Sequence, residues 1–157
     1  MREPRHTEHD LKRNEDPEAI AGAVGGATGV GVGAAIGMAA LGPVGAVVGA
    51  LAGAAGGWWA GKGLQHAVHE VDSADNDFRR AHEHAGATRP FDEARHGYQL
   101  GYLAGRNPEY ADADFTQVEE DLRTAWIEAH REDGNPVPWD DVRGDARIGY
   151  ELSRKRD

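Results

Sequence analysis

Histidines and carboxylates are the only side chains in this chain whose type and grouping could do chemistry. With 8 histidines, 27 Asp plus Glu and no cysteine, a metal site would rest on imidazole and carboxylate alone. The tightest group is His66, His69 and Glu70, where spacings of three and four place the ligands on one helical face. Neither the HExxH nor the ExxH order occurs, and His82 and His84, two residues apart, point to different sides of a helix. Both groups read as solvated helix surface, with a metal held between subunits as the alternative. The pairs Glu119-Glu120 and Asp140-Asp141 fall near expected helix starts, where negative charge complements the helix dipole.

Nucleophile and phosphate signatures are missing as well. No Gly-x-Ser-x-Gly and no Walker loop occurs, and Gly29-Val30-Gly31-Val32-Gly33 has neither a preceding strand nor a phosphate-contacting lysine. The residues therefore predict no enzyme, no cofactor and no resident metal; a small-molecule ligand stays open. The lack of cysteine removes thiolate ligands, disulfides and a lipoprotein anchor. A net charge of -10, with no local basic stripe, excludes nucleic acid as the expected partner.

The elements that could position these residues divide into four stretches. Residues 1–18 mix bases and acids without an apolar run, which predicts a disordered polar tail and no secretory signal. From Ala19 to Gly61 there are 43 residues without a charge, about twice the roughly 20 that one helix needs to cross a bilayer. Leu41-Gly42-Pro43-Val44 marks a turn between helices expected over about 19–40 and 43–68. Gly25, Gly29, Gly33, Gly37, Gly45, Gly49, Gly53, Gly57 and Gly61 share one four-residue register. That register predicts a glycine-zipper hairpin over 19–63, in which missing side chains let two backbones approach closely.

Energetics weigh the alternatives. In water the 14 glycines of this block cost a helix on the order of 14 kcal/mol relative to alanine, so an isolated soluble hairpin should not form. In a bilayer the backbone must bond to itself and helix is enforced. Only ten Val, Ile and Leu residues favour insertion, by about 3 to 6 kcal/mol in total, so the helices need partners. Trp58 and Trp59 followed by Lys62 fit an aromatic belt with a snorkelling cation at the membrane interface. Bases outside the hairpin and none at its turn place both termini in the cytoplasm, with membrane lipid and other copies of the chain as partners. A zipper buried in a soluble homo-oligomer and a flexible Gly-Ala linker remain alternatives.

After Gly63 the pattern becomes charged helix. A connecting helix is expected over 64–86, with a stripe of Ala74, Phe78, Ala81 and Ala85. Residues 87–157 then carry a repeat. Phe91, Phe115 and Trp139 stand 24 residues apart, and eleven residues after each comes Tyr102, Trp126 or Tyr150. The offsets between trace one face of a 3.6-period helix and predict an acidic bundle of three helices. Its core is expected to hold Phe91, Tyr98, Tyr102, Phe115, Leu122, Trp126, Trp139 and Tyr150. The fold class is thus all-α, a hairpin of two long Gly/Ala-rich helices followed by a small bundle.

Three strings carry a family likeness: Tyr98-Gln99-Leu100-Gly101-Tyr102-Leu103-Ala104, Phe115-Thr116-Gln117-Val118-Glu119-Glu120-Asp121-Leu122 through Trp126, and Trp139-Asp140-Asp141-Val142-Arg143. With the glycine block they resemble a bacterial family of glycine-zipper proteins of uncharacterised function, found in stress-tolerant and soil bacteria, over about residues 20–155. Asn76-Asp77-Phe78-Arg79 resembles that family's acidic-aromatic-Arg string without its tryptophan. The resemblance implies a membrane or stress association and brings no catalytic residue. The resulting expectation is a structural protein of the cytoplasmic membrane that self-associates through its hairpin, in envelope support or membrane remodelling. A pore-forming or toxin-like protein is the competing reading, and a soluble homo-oligomeric scaffold the third.

Overall fold

The computed structural model describes residues 45–47, 49–51, 64–131 and 133–155. The tail over 1–18 lies outside the described residues, as do Gly25, Gly29, Gly33, Gly37, Gly53, Gly57, Gly61, Trp58, Trp59 and Lys62. The described residues are helical, with no strand among them: α1 Leu64–His84, α2 Phe91–Gly105, a short 3-10 helix Pro108–Tyr110, α3 Phe115–Ala129 and α4 Trp139–Arg154.

The starts of α2, α3 and α4 each have a local cause. α2 and α4 follow Pro90 and Pro138, extended at φ -56° and -60°, whose carbonyls accept the first helical N–H groups. Asp92 and Glu93 in one and Asp140 and Asp141 in the other sit in the first turn, where the dipole favours them. α3 opens with a capping box: Gln117 N–H donates to Asp114 Oδ1 at 3.1 Å, and Asp114 N–H donates to Gln117 Oε1 at 2.8 Å. The helix starts at Phe91, Phe115 and Trp139 are the three aromatics of the 24-residue repeat. α1 is stopped two residues before Gly86, whose φ of 61° is the left-handed conformation that ends a helix cheaply only with glycine.

α2 is the central element. Ala94 and Gly97 through Ala104 are all buried, and its widest contact is with α4. α1 does more than connect. Ala67, Val71, Ala74 and Phe78 are fully buried in the common core, with the Phe78 ring 5.8 Å from Tyr98 and 5.4 Å from Tyr102. The expected stripe of this helix needs one correction. Ala85 is exposed, and His82 occupies the buried turn beyond Phe78, because α1 ends at His84 and the chain bends away at Gly86.

Residues 45–47 and 49–51 are helical too, and Gly45, Ala46, Val47, Gly49, Ala50 and Leu51 are all buried. Ala46, Val47, Ala50 and Leu51 belong to the same apolar cluster as the bundle residues. At 100° per residue these six positions point around most of a helix circumference, so burial here is not confined to one stripe. No helix among the described residues is long and apolar enough to cross a membrane.

Candidate functional site

The most constrained place in the molecule is the seam between α2 and α4. Gly97, Gly101 and Gly105 recur every four residues on α2, and the seam faces Val142, Ala146, Gly149 and Ser153 on α4. A Cβ on Gly101 would overlap the Ala146 carbonyl oxygen and stand 2.6 Å from its carbon. One on Gly149 would overlap the Tyr98 carbonyl oxygen and stand 2.9 Å from its carbon. The contact is reciprocal: Gly101 and Gly149 are both ten residues into their repeats, and Ala146 and Tyr98 are both seven. Contacts advance along both helices together, from Gly97 on Val142 and Asp145 to Gly105 on Tyr150 and Ser153, so the helices run parallel. Close backbone approach of this kind replaces side-chain interdigitation with Cα–H···O contacts.

A cluster of buried and part-buried polar groups closes one end of this seam. His82 of α1, Arg89 of the loop, Tyr98 of α2 and Asp145 of α4 join there. His82 Nε2 lies 2.8 Å from the Arg89 carbonyl oxygen, and its Nδ1 lies 3.3 Å from the Tyr98 hydroxyl. Arg89 donates to the Asp145 carboxyl and, at 2.8 Å, to the Asp141 carbonyl oxygen. Burial pushes the Tyr98 phenol above its ordinary range, and the adjacent Asp145 carboxylate adds to the rise. The Asp145 carboxyl is itself raised by burial, against the opposing pull of Arg89.

The other end is pinned by Tyr150 and Arg154. The Tyr150 hydroxyl donates to the Ala113 carbonyl at 2.8 Å, and Arg154 donates to the Tyr110 carbonyl and to the Tyr150 hydroxyl, each at 3.0 Å. The Tyr110 hydroxyl in turn donates to Asp121 at 2.8 Å, and its phenol is raised first by burial and then by that carboxylate. Between α3 and α4, Arg143 holds Glu119 through two guanidinium nitrogens, which lowers the Glu119 carboxyl. Glu119 is thus an ion-pair partner of α4 beyond any effect on its own helix dipole.

The residues expected in the bundle core are distributed as follows. Tyr98 and Leu122 are fully buried, and Tyr102, Trp126, Tyr150, Phe115 and Trp139 are nearly so. Phe91 is only partly buried, with the Arg79 guanidinium 4.4 Å above its ring. Trp126 donates to the Val137 carbonyl at 2.8 Å and lies 3.9 Å from the His130 ring. Of the histidines read as solvated surface, His66 and His69 are exposed, with His66 3.7 Å from Glu70. His82 corrects that reading, because it is itself buried and its ring has two partners, the loop carbonyl and Tyr98. Among the described residues no three His, Asp or Glu side chains are placed to hold a metal ion.

Sequence reasoning passed over several of these residues. Gly97 and Gly105 carried a visible signal, the same four-residue spacing as the glycine block. Arg89 and Asp145 carried none, since nothing local marks a charge that meets a partner 56 residues away. Gln99 is a further surprise: it is fully buried, and neither atom of its amide has a hydrogen-bond partner among the described residues.

The titratable groups of the polar cluster have little access to solvent, since Tyr98 is fully buried and His82 and Asp145 are each 8% exposed. Comparison with family models, with curated proteins and with solved structures finds no match for the chain.

Proposed function

We propose that the protein is structural: an acidic helical head joined to a glycine-rich block that associates by close backbone packing, with copies of itself and at a membrane surface. The observation that carries this reading is the α2–α4 seam, where glycines bring two backbones into direct contact. The same four-residue glycine spacing runs through the charge-free block, so one packing mode would serve both parts of the chain. The buried histidine and carboxylate of the described residues, His82 and Asp145, are engaged in holding helices and their loop together, which favours a scaffold over an enzyme. Envelope support or membrane remodelling under stress is the role this architecture suits.

The burial of residues 45–47 and 49–51 favours a second reading, in which the block stays packed in protein and the chain is a soluble homo-oligomeric scaffold. Fractionation separates the two. Full-length protein from lysed cells should sediment with membranes on ultracentrifugation and resist a high-salt wash if the first reading holds. Recovery in the supernatant as a defined oligomer selects the second, and recovery there as a monomer removes both. A pore-forming role predicts dye leakage from liposomes, which the structural reading does not.

A further inference from the structure

An approximate two-fold relates α2 to α4. Gly101 on Ala146 and Gly149 on Tyr98 are one contact seen from either helix, between positions that correspond at a separation of 48. The relation extends to the helices before them. Arg95 of α2 pairs with Asp75 of α1 at 2.7 Å, and its equivalent Arg143 of α4 pairs with Glu119 of α3. Ala74, Phe78 and His82 are buried along α1, as are Val118, Leu122 and Trp126 along α3. Residues 64–155 thus contain two similar helical hairpins, α1–α2 and α3–α4, packed through their second helices.

Two such hairpins should cover equivalent positions equally, and along one stripe they do not. Arg147 and Glu151 on the outer side of α4 lie in solvent, with side chains 61% and 50% exposed. Their equivalents on α2 are Gln99 and Leu103, both 0% exposed. The same difference continues along the stripe: Gly144 is exposed where His96 is half-buried, and Ile148 is half-buried where Leu100 is fully buried. Positions 96, 99, 100 and 103 share the side of α2 turned away from Gly97 and Gly101. The hairpins leave this stripe open on α4, so a further element covers it on α2.

Among the described residues, those outside the hairpins and their connections are 45–47 and 49–51, which are helical and buried. Ala46, Val47, Ala50 and Leu51 are at most 1% exposed and belong to the same apolar cluster as Leu100 and Leu103. We propose that this segment of the glycine block docks on the outer stripe of α2 within one chain, with Gln99 and Leu103 beneath it. Gly45, Ala46, Gly49 and Ala50 are small enough for close approach, and Leu100 and Leu103 supply apolar surface that water would otherwise meet. On α4 the same stripe carries glycine, arginine and glutamate, a surface suited to water. The Gln99 amide, without a partner among the described residues, is returned to water on undocking, which makes the seat releasable. The docking goes beyond either reading of the block: a soluble scaffold keeps the segment seated, and entry into a bilayer begins with its release.

The chain has no cysteine, so an introduced pair reports without background. In the full-length protein Leu103→Cys is combined in turn with Ala46→Cys, Val47→Cys, Ala50→Cys and Leu51→Cys, which point around most of the segment's circumference, and each variant is oxidised. At least one pair should close a disulfide within the chain, seen as a faster-migrating monomer on a non-reducing gel. None should close when Glu151→Cys replaces Leu103→Cys. Absence of closure with Leu103→Cys, equal closure with Glu151→Cys, or disulfides between chains alone overturns the proposal, the last by making a second copy the occupant. Should the double variants fail to fold, amide hydrogen exchange of single variants decides. Leu103→Ala should speed exchange at residues 45–47 and 49–51, relative to α4, by about tenfold or more, and Glu151→Ala should leave it unchanged. Equal rates in the two variants overturn the proposal.

Discussion

Gly101 meets Ala146 main chain to main chain, and Gly149 meets Tyr98 in the same way, so each helix of the α2–α4 pair gives and receives one backbone contact. A methyl at either glycine would overlap a carbonyl oxygen, and neither carbonyl can retreat without moving its helix. Gly101→Ala and Gly149→Ala should each destabilise the fold by about 3 kcal/mol, at the upper end of overpacking costs. Gly144, exposed on α4 with open space at its Cβ position, is the internal control. Gly144→Ala should stabilise by about 0.5 to 1 kcal/mol through helix propensity alone. Chemical unfolding of the three variants measures both signs, and equal effects at the three positions would show that the seam is not closely packed.

The amide of Gln99, fully buried and without a partner among the described residues, predicts a gain from an apolar replacement of similar length. Gln99→Met removes two unsatisfied polar atoms and keeps most of the volume. Stability should rise by about 1 to 3 kcal/mol, the usual cost of leaving such groups unpaired. A loss on thermal unfolding would mean that the amide has a partner in solution.

His96 makes the stability of the fold depend on acid. Its imidazole is depressed from the ordinary 6.5, first by burial and then by His130 and Arg95, with Asp133 opposing. The folded chain therefore holds this proton less readily than the unfolded one. The contribution is fully present above about pH 6.5 and is lost as pH falls below it. Wild type should lose more stability than His96→Gln between pH 7 and 5.5, by less than tenfold in equilibrium constant per unit. Parallel pH profiles for the two chains would show that His96 is solvated.

How much of this was legible depends on the range over which each feature is determined. The helix starts at Phe91, Phe115 and Trp139 could be read because an aromatic stands next to a proline or a capping aspartate, all within a few residues. The stripe of α1 could be followed to Phe78 but not to His82, since a histidine at a helix end reads as surface until a loop folds over it. Asp145 likewise reads as one more acid on an acidic helix, until Arg89 from the α1–α2 loop meets its carboxyl and makes its burial tolerable. The pairing of α2 with α4 in preference to sequential neighbours depends on glycines in both, which a count of aromatics does not reveal. The imperfect agreement of the middle repeat has a counterpart in the structure: α3 has Ala125 where the other two have Gly101 and Gly149, and it stands outside the close seam.

Trp126 tests that outer helix. It is nearly buried, donates to Val137 and lies against the His130 ring, so it ties α3 to the loop leading into α4. Trp126→Ala in the full-length chain should cost about 3 to 5 kcal/mol. Trp126→Phe keeps the ring but drops the hydrogen bond and should cost about 1 kcal/mol plus the lost area. An unchanged melting temperature for Trp126→Ala would place this side chain in solvent.

The last prediction concerns the glycine block, where Gly49 is buried and helical beside Ala50 and Leu51. If the register glycines form a packing face, Gly49→Leu should push the neighbouring backbone away by the width of a side chain and weaken association. Leucine favours both helix and membrane insertion, so propensity and packing predict opposite signs. Val47 would be a poor control, because it is itself fully buried. Gly49→Ala grades the effect instead. One methyl should weaken association less than leucine does if the face is tight, and should strengthen it if helix propensity governs. Crosslinking yield in membranes and in the soluble fraction, compared across wild type, Gly49→Ala and Gly49→Leu, reads the order. A rising series from Gly to Ala to Leu would mean that the glycines at this register are not a contact face, and the flexible-linker reading of the block would then account for the sequence better than any hairpin.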